Sequence, residues 1–488
     1  MKLCRIITVL LLIVLIFSAT SCGSGDSVSP ITTVTDTADT AAEQKYVADY
    51  LPDKNYGGYT FQVITVLEYP TDVEEMNGDI INDSYFKRNL LIEERYNIVF
   101  KETRVAQYMD LTNNFRKSAM SGSDDFDLCR LIDRDAFTMS LGGYIPLVSE
   151  LPYLDTTQEW YLKYVNDELE IGGVLPFACS DENIQILDGT LCVFFNKKMM
   201  SEYHLTSPYE LVENGEWTID KFYEYSKIVI SDLNNDYVYS SKTDRVGVIG
   251  ELDLIVPSLW VGAGVKTVAK VNGLPVFNAK NEKLHEILKS AFDFVQYPGA
   301  VSRDFKEYTS SEESRSANRQ NFKNDAALFT IAGFGTSLEL RDMENDFGII
   351  PLPKYDENQK QYYTRVADGW INLPLACATD LERTSIIMES LAVESKNIVI
   401  PAIYENAILL KAIRDTESLE MLETIMDNRV IDLGDTIWYA AIRQGVYMDK
   451  CFFASTPNSN FASAEASQIY NIETTINRAV DALLKRKK

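Results

Sequence analysis

The sequence predicts an α/β fold, and two observations carry that prediction. Between residues 59 and 132 the apolar pattern reads strand, helix, strand, helix, strand, with short links. Such alternation implies a parallel sheet with helices on both faces. The chain is also 46% hydrophobic over 488 residues, ample for sizeable cores. Residues 46–488 suit two or three domains of about 150 residues each.

The elements follow in order. YTFQVITVLEYP (59–70) alternates and then runs β-branched, a strand ending near Leu67. NDSYFKRNLLIEERYN (82–97) has helical spacing, with Asp83 or Ser84 placed to cap it. IVFKET is a second strand. QYMDLTNNFRKSAMSG is a second helix stopped by Gly122, and DFDLCRLI (125–132) is a third strand. A second unit starts at QILDGTLCVFFNKKMM (185–200), read as a strand pair. Thr218 can cap a helix over 219–228. KLHEILKSAFDFVQYPG (283–299) is an amphipathic helix closed by Pro298-Gly299. AALFTIAGFGTSLELRD holds an apolar strand, a glycine turn and a helix, and DFGIIPLPKYD a strand broken by prolines. The last stretch is mostly helical and ends in the basic turn KRKK, favourable at a helix C-terminus.

The N-terminus carries Lys2 and Arg5, an apolar run over 6–17 and the small residues Ser18, Ala19, Thr20 and Ser21 before Cys22. This is the pattern of a secretory signal over 1–21. A spanning helix needs about 20 apolar residues, more than this run supplies. Ala19-Thr20-Ser21-Cys22 resembles a bacterial lipobox, with Ala19 where leucine is often found. The resemblance makes Cys22 the lipidated first residue of the mature chain, and more than one acyl chain, palmitate for example, anchors firmly. Residues 22–45 are rich in Ser, Thr, Asp, Gly and Ala, and after Cys22 lack aromatic residues. They cannot bury enough surface to offset their ordering entropy, so they read as a flexible tether. The expected location is the extracytoplasmic face of a cell membrane.

The net charge of −26 argues against nucleic acid. Of seven cysteines, Cys129, Cys179, Cys192, Cys377 and Cys451 lie among apolar neighbours at wide spacings, as buried small hydrophobes do. Catalytic motifs are missing: two histidines, no G-x-S-x-G, no H-E-x-x-H. His204 and His285 read as structural or helix-surface residues. GAGVKT (262–267) lacks phosphate-loop spacing. The calcium-like stretch from Asp232 has Tyr237 for the turn glycine and Thr243 for the closing Glu. No catalytic residue, cofactor or metal is expected. A carboxylate pair for glycan hydrolysis stays open, because nothing singles one out from 72 acidic residues.

What stands out is aromatic. Trp260 precedes a glycine pair, Trp370 follows Asp368-Gly369, and Phe334 lies between two glycines. Rings with a polar edge suit ligands that are part apolar and part hydroxylated, as sugars are. The alternative is that these rings plug interfaces between lobes. In open parallel sheets ligands bind outside the carboxyl ends of the strands. That rule selects Glu68 and Tyr69 after the first strand, Asp133 and Arg134 after the third, and Gly333 and Phe334 after ALFTIA. With Trp260, Asp368 and Trp370 they form the candidate ligand-binding set.

RNLLIEERYNIVF, DFDLCRL, LCVFFNKKMM before SPYELVENGEWTIDKF, DFGIIPLPKYD and RDTESLEMLETI together resemble family 1 extracellular solute-binding proteins, the carbohydrate-type receptors of ABC importers. The likeness spans nearly the whole mature chain, and its loose motifs specify a family rather than a ligand. LNNDYVYSSKTDRVGVIG resembles a family loop that has lost most of its glycines, which argues against a bound cation. DGWINLP stands where many relatives have a glycine-rich ligand-contacting turn. The resemblance implies a two-lobed, periplasmic-binding-protein type II-like fold with a hinge between lobes. Residues 46–160 and 301–350 would form lobe 1, and 161–300 and 351–488 lobe 2. It implies a monomeric lipoprotein that captures a carbohydrate, an oligosaccharide, and delivers it to ABC permease subunits. A secreted glycan-active hydrolase, or a sensor or adhesin on the same fold, are the alternatives.

Overall fold

Two four-stranded sheets organise the chain. The computed structural model describes residues 45–66, 73–123, 125–302, 311–367, 369, 372–376, 380–409 and 413–487. The signal, Cys22 and nearly all of the tether lie outside the described residues, and residues 46–488 group as one unit. Among the described residues no helix is long and apolar enough to cross a membrane.

The first sheet holds β1 (Tyr59–Val66), β2 (Ile98–Val105) and β3 (Leu128–Ile132). β1 runs parallel to both neighbours, in register Tyr59 with Ile98 and Val63 with Leu128. This is the parallel sheet the alternating pattern calls for. Side-chain alternation divides it. Phe61 and Val63 pack with Ile92 and Tyr96 of α1 (Ile80–Tyr96). Ile64 and Val66 face the core that holds Leu111 and Phe115 of α2 (Tyr108–Ser121). Gly122, with φ 65°, ends α2 as expected. The cap of α1 lies upstream of Asp83 and Ser84: Asp79 accepts the Asn82 amide at 2.8 Å. Asp83 instead accepts the Asn77 amide at 2.9 Å, holding the turn before the helix.

The second sheet has the order β5 (Val246–Ile249), β8 (Ala327–Gly333), β4 (Leu191–Asn196) and β9 (Phe347–Ile350), with the hairpin β6 (Val268–Val271) and β7 (Leu274–Phe277) beside it in sequence. It is mixed: β4 is antiparallel to both β8 and β9, while β5 is parallel to β8. Residues 185–188 form one helical turn, so only the second half of the expected strand pair is a strand. Thr218 caps α4 (Ile219–Ile228) through the Lys221 amide, as expected. Around it Trp217, Phe222, Phe294 and Phe329 pack within about 6 Å of one another, ring to ring. The Trp217 indole donates to the Pro351 carbonyl at 3.0 Å.

Pairing assigns the later strands to sheets. β8 and β9 fall within 301–350, yet they hydrogen-bond in the second sheet. The chain returns later: β11 (Asn372–Ala376) pairs antiparallel with β3 in the first sheet. Before it, β10 (Thr364–Arg365) pairs with β12 (Arg429–Val430). The long helix Phe461–Arg486 reaches back to the end of α3 (Asp133–Leu141), where Arg486 donates to the Ser140 and Ile145 carbonyls at 2.7 and 2.9 Å. The basic terminal turn thus docks on the end of α3 and on the loop that follows it.

Charge is buried where segments join. Arg130 of β3 grips Glu182 through both carboxylate oxygens, and Arg88 of α1 lies 3.9 Å from the same group. All three side chains are within 2% of full burial. Removing one member leaves charges without a counterion away from water, which costs about 3–5 kcal/mol. Glu182→Ala is therefore expected to lower unfolding stability by about that much; a urea midpoint unchanged from wild type would contradict this role.

Candidate functional site

Three separate stretches of chain meet where the sheets adjoin. Phe334, just past β8, donates its amide to the Thr190 carbonyl at 2.9 Å. Ala367 donates to the Gly189 carbonyl at 3.0 Å, and Thr190 bridges Val366. Two residues on, the Gly369 amide points to the Asp133 carboxylate at 3.4 Å. Gly369 adopts φ 79°, a left-handed conformation that glycine takes without Cβ strain. A side chain there would meet the Arg134 guanidinium, which lies over the Tyr439 ring at 4.6 Å. Arg443 also approaches the Tyr439 ring, at 5.1 Å.

The structure thus gathers Asp133, Arg134, Gly333 and Phe334 about one crossing. Glu68, Tyr69, Asp368 and Trp370 lie outside the described residues, although Gly369 between the last two is placed. Phe334 is buried in the main core, so its backbone rather than its ring faces the crossing. Trp260 stands elsewhere. It is fully buried in α5 (Leu252–Gly262) and packs on Tyr447 at 5.9 Å, away from the cavity wall. The glycine pair that singled it out serves packing instead: a side chain at 262 would overlap the Pro353 carbonyl, and one at 264 the Tyr363 ring.

A cavity of about 420 Å³ opens at the end of β8. Its floor is Thr330–Gly333. Its walls are the 185–188 turn, the start of α5, α6 (Ser311–Lys323) and the turn of helix at 336–339. Apolar wall comes from Leu191, Leu254 and Phe322, polar wall from Asp188, Asn318 and Thr336. Close approach dictates two glycines: a Cβ at 333 would overlap the Asp188 carbonyl, and one at 335 the Asp188 carboxylate. Arg315 pairs with Glu251 at 3.2 Å, while Arg319 pairs with Glu312 at 3.1 Å and with Glu339.

Asp188 is the group that spacing rules miss, since it precedes β4 instead of following a parallel strand. The Asp-Gly dipeptide before LCVFF was its only signal. Its carboxylate is accessible to water yet surrounded by cavity wall. Crowding by protein, then the Glu339 charge, pushes it up to about 6. Glu339 is itself raised by burial, against the pull of Arg319.

The calcium-like loop uses its own side chains. Asp232 accepts the Asn235 and Tyr237 amides at 2.7 and 2.9 Å. His285 lies 2.9 Å from Glu465, which also accepts the Tyr447 hydroxyl.

No protein-family model and no curated protein matches the chain. Solved structures do resemble it. Crystalline UspC of M. tuberculosis superposes with a TM-score of 0.57 at 13% identity, over 86% of this chain and 100% of that one. The maltose/maltodextrin-binding domain MalE from Bdellovibrio bacteriovorus, bound to maltotriose, gives 0.52 at 14% identity over 88% and 99%. An ABC substrate-binding protein from Listeria monocytogenes, in complex with cycloalternan, gives 0.51 at 12% over 89% and 99%. The fold is therefore the two-lobed α/β fold of periplasmic-binding-protein type.

The raised Asp188 has a consequence for stability. Its ordinary value is 3.8 and it stands at about 6 in the folded chain. Folding favours the protonated form, so its contribution is complete below 3.8 and is lost as pH rises through about 6. Denaturation midpoints from pH 4 to 7 should therefore drop less in Asp188→Asn than in wild type. Parallel pH curves for the two proteins would refute the raised value.

Proposed function

We propose that this chain is an extracytoplasmic solute-binding protein that captures a carbohydrate, an oligosaccharide, and delivers it to the permease of an ABC transporter. The observation that carries the proposal is the cavity at the crossing, which joins apolar wall to hydrogen-bonding side chains as ligand sites do. Two solved structures of the same fold hold sugars, maltotriose and cycloalternan. Ligand contacts are assigned to Asp188 and Gly333 in the cavity and to Asp133 and Arg134 at the crossing. Glu68, Tyr69, Asp368 and Trp370, selected from the sequence, complete the proposed set.

Binding without turnover is the mechanism. Segments crossing between two sheets let lobes close on a ligand by small rotations at few residues. The ligand favours the closed state by the extra contacts it makes there. No bond in the sugar is made or broken. Lipid on Cys22 and the tether of 22–45 would hold the receptor near its permease.

Thermal shift and calorimetry against mono- and oligosaccharides, with product analysis alongside, test the proposal. A ligand is expected to raise the melting point and to be recovered unchanged. Released sugar products would overturn it in favour of a hydrolase. Anchoring has its own test: Cys22→Ala should move the protein from the membrane to the soluble fraction, and retention on the membrane would refute lipidation at that residue.

A further inference from the structure

We propose that the ligand carries a cationic nitrogen, as an amino sugar does, and that Asp188 reads it. The inference rests on the carbohydrate proposal for the same cavity and adds the chemical class of the ligand. The cavity wall presents four carboxylates, Asp188, Glu251, Glu312 and Glu339, against two guanidiniums, Arg315 and Arg319. Both guanidiniums are engaged: Arg315 by Glu251, Arg319 by Glu312 and Glu339. Among the described residues Asp188 has no ion-pair partner within the cavity. Its position is built rather than incidental, because Gly333 and Gly335 exclude the side chains that would displace it.

A neutral sugar would leave this carboxylate with hydroxyl partners alone. An ammonium group would supply the missing counter-charge, and charge-assisted hydrogen bonds are stronger than neutral ones. It would also offset the repulsion between Asp188 and Glu339. The charged and titratable groups around Asp188 are Glu339 from the 336–339 turn, Arg319, Glu312 and Arg315 from α6, Glu251 before α5, and Tyr85 from α1, whose hydroxyl interacts with it electrostatically. Among the described residues no three metal-ligating groups converge.

Matched pairs provide the test: glucosamine and its β-1,4 oligomers up to the tetramer, against glucose and cello-oligomers of the same length. Calorimetry at pH 6.5, where amine and carboxylate are both largely charged, should show the amine member binding the intact chain about tenfold or more tightly, the size of one charge-assisted hydrogen bond. Asp188→Asn should bring the ratio close to one while the melting curve shows a folded protein. Glu339→Gln should keep the preference and extend it to lower pH. If glucose oligomers bind and amines gain nothing, or if the preference survives Asp188→Asn, the inference falls and the carbohydrate proposal stands. If neither series binds, the inference falls, and the wider saccharide panel alone decides the carbohydrate proposal.

Discussion

The structure depends on one constraint: backbone that crosses between two sheets must have its amides and carbonyls satisfied where it leaves both. Here the crossing segments satisfy one another. Gly189 and Thr190 accept from Ala367 and Phe334, and Val366 donates onward to Val430 at 3.1 Å. A buried unpaired peptide group costs free energy comparable to a lost hydrogen bond. Phe334 and Val366 also pack into the main core, so the segments are held by backbone bonds and by burial together. The cavity lies beside the junction, over the last residues of β8 and between α5, α6 and the 185–188 turn.

Ion pairs fix the segments around it. Arg365 of β10 donates to Asp435 at 2.6 and 2.9 Å and to the Leu254 carbonyl of α5 at 3.3 Å. Burial opposes ionisation of Asp435, but Arg365 and Arg443 still hold it below the usual carboxylate range. The short β10 strand is therefore held by charge more than by ladder. On the first sheet the Arg88–Arg130–Glu182 group ties α1 and β3 to the chain just before the 185–188 turn. Both groups lie where elements distant in sequence converge, and neither faces the cavity.

Asp188 and Trp260 show how differently a site and a core treat conspicuous residues. Trp260 has the residue type and the glycine neighbours of a ligand platform, yet it fills a core gap against Tyr447. Asp188 sits in an unremarkable turn, yet it meets the cavity because β4 and β8 run antiparallel, bringing the start of one beside the end of the other. A rule written for parallel strands looks only at carboxyl ends and passes over it.

The sequence alone determined the α/β class, the parallel β1–β2–β3 sheet, the Gly122 stop and the Thr218 cap, because each follows from local periodicity or from a side chain bonding its own neighbourhood. It also placed Asp133, Arg134 and Gly333 at strand ends, since these are readable from where β-branched runs stop. Tertiary structure decided the rest. The Asp79 cap depended on a turn shaped by Asp83. β8 and β9 joined the second sheet, and β11 the first, because apolar strands carry no label for their partner. The charge balance of the cavity arose from α6, the 185–188 turn and the start of α5, which approach one another only after folding. Pairing between residues far apart in the chain is a property of the packed core, and a single strand or turn does not encode it.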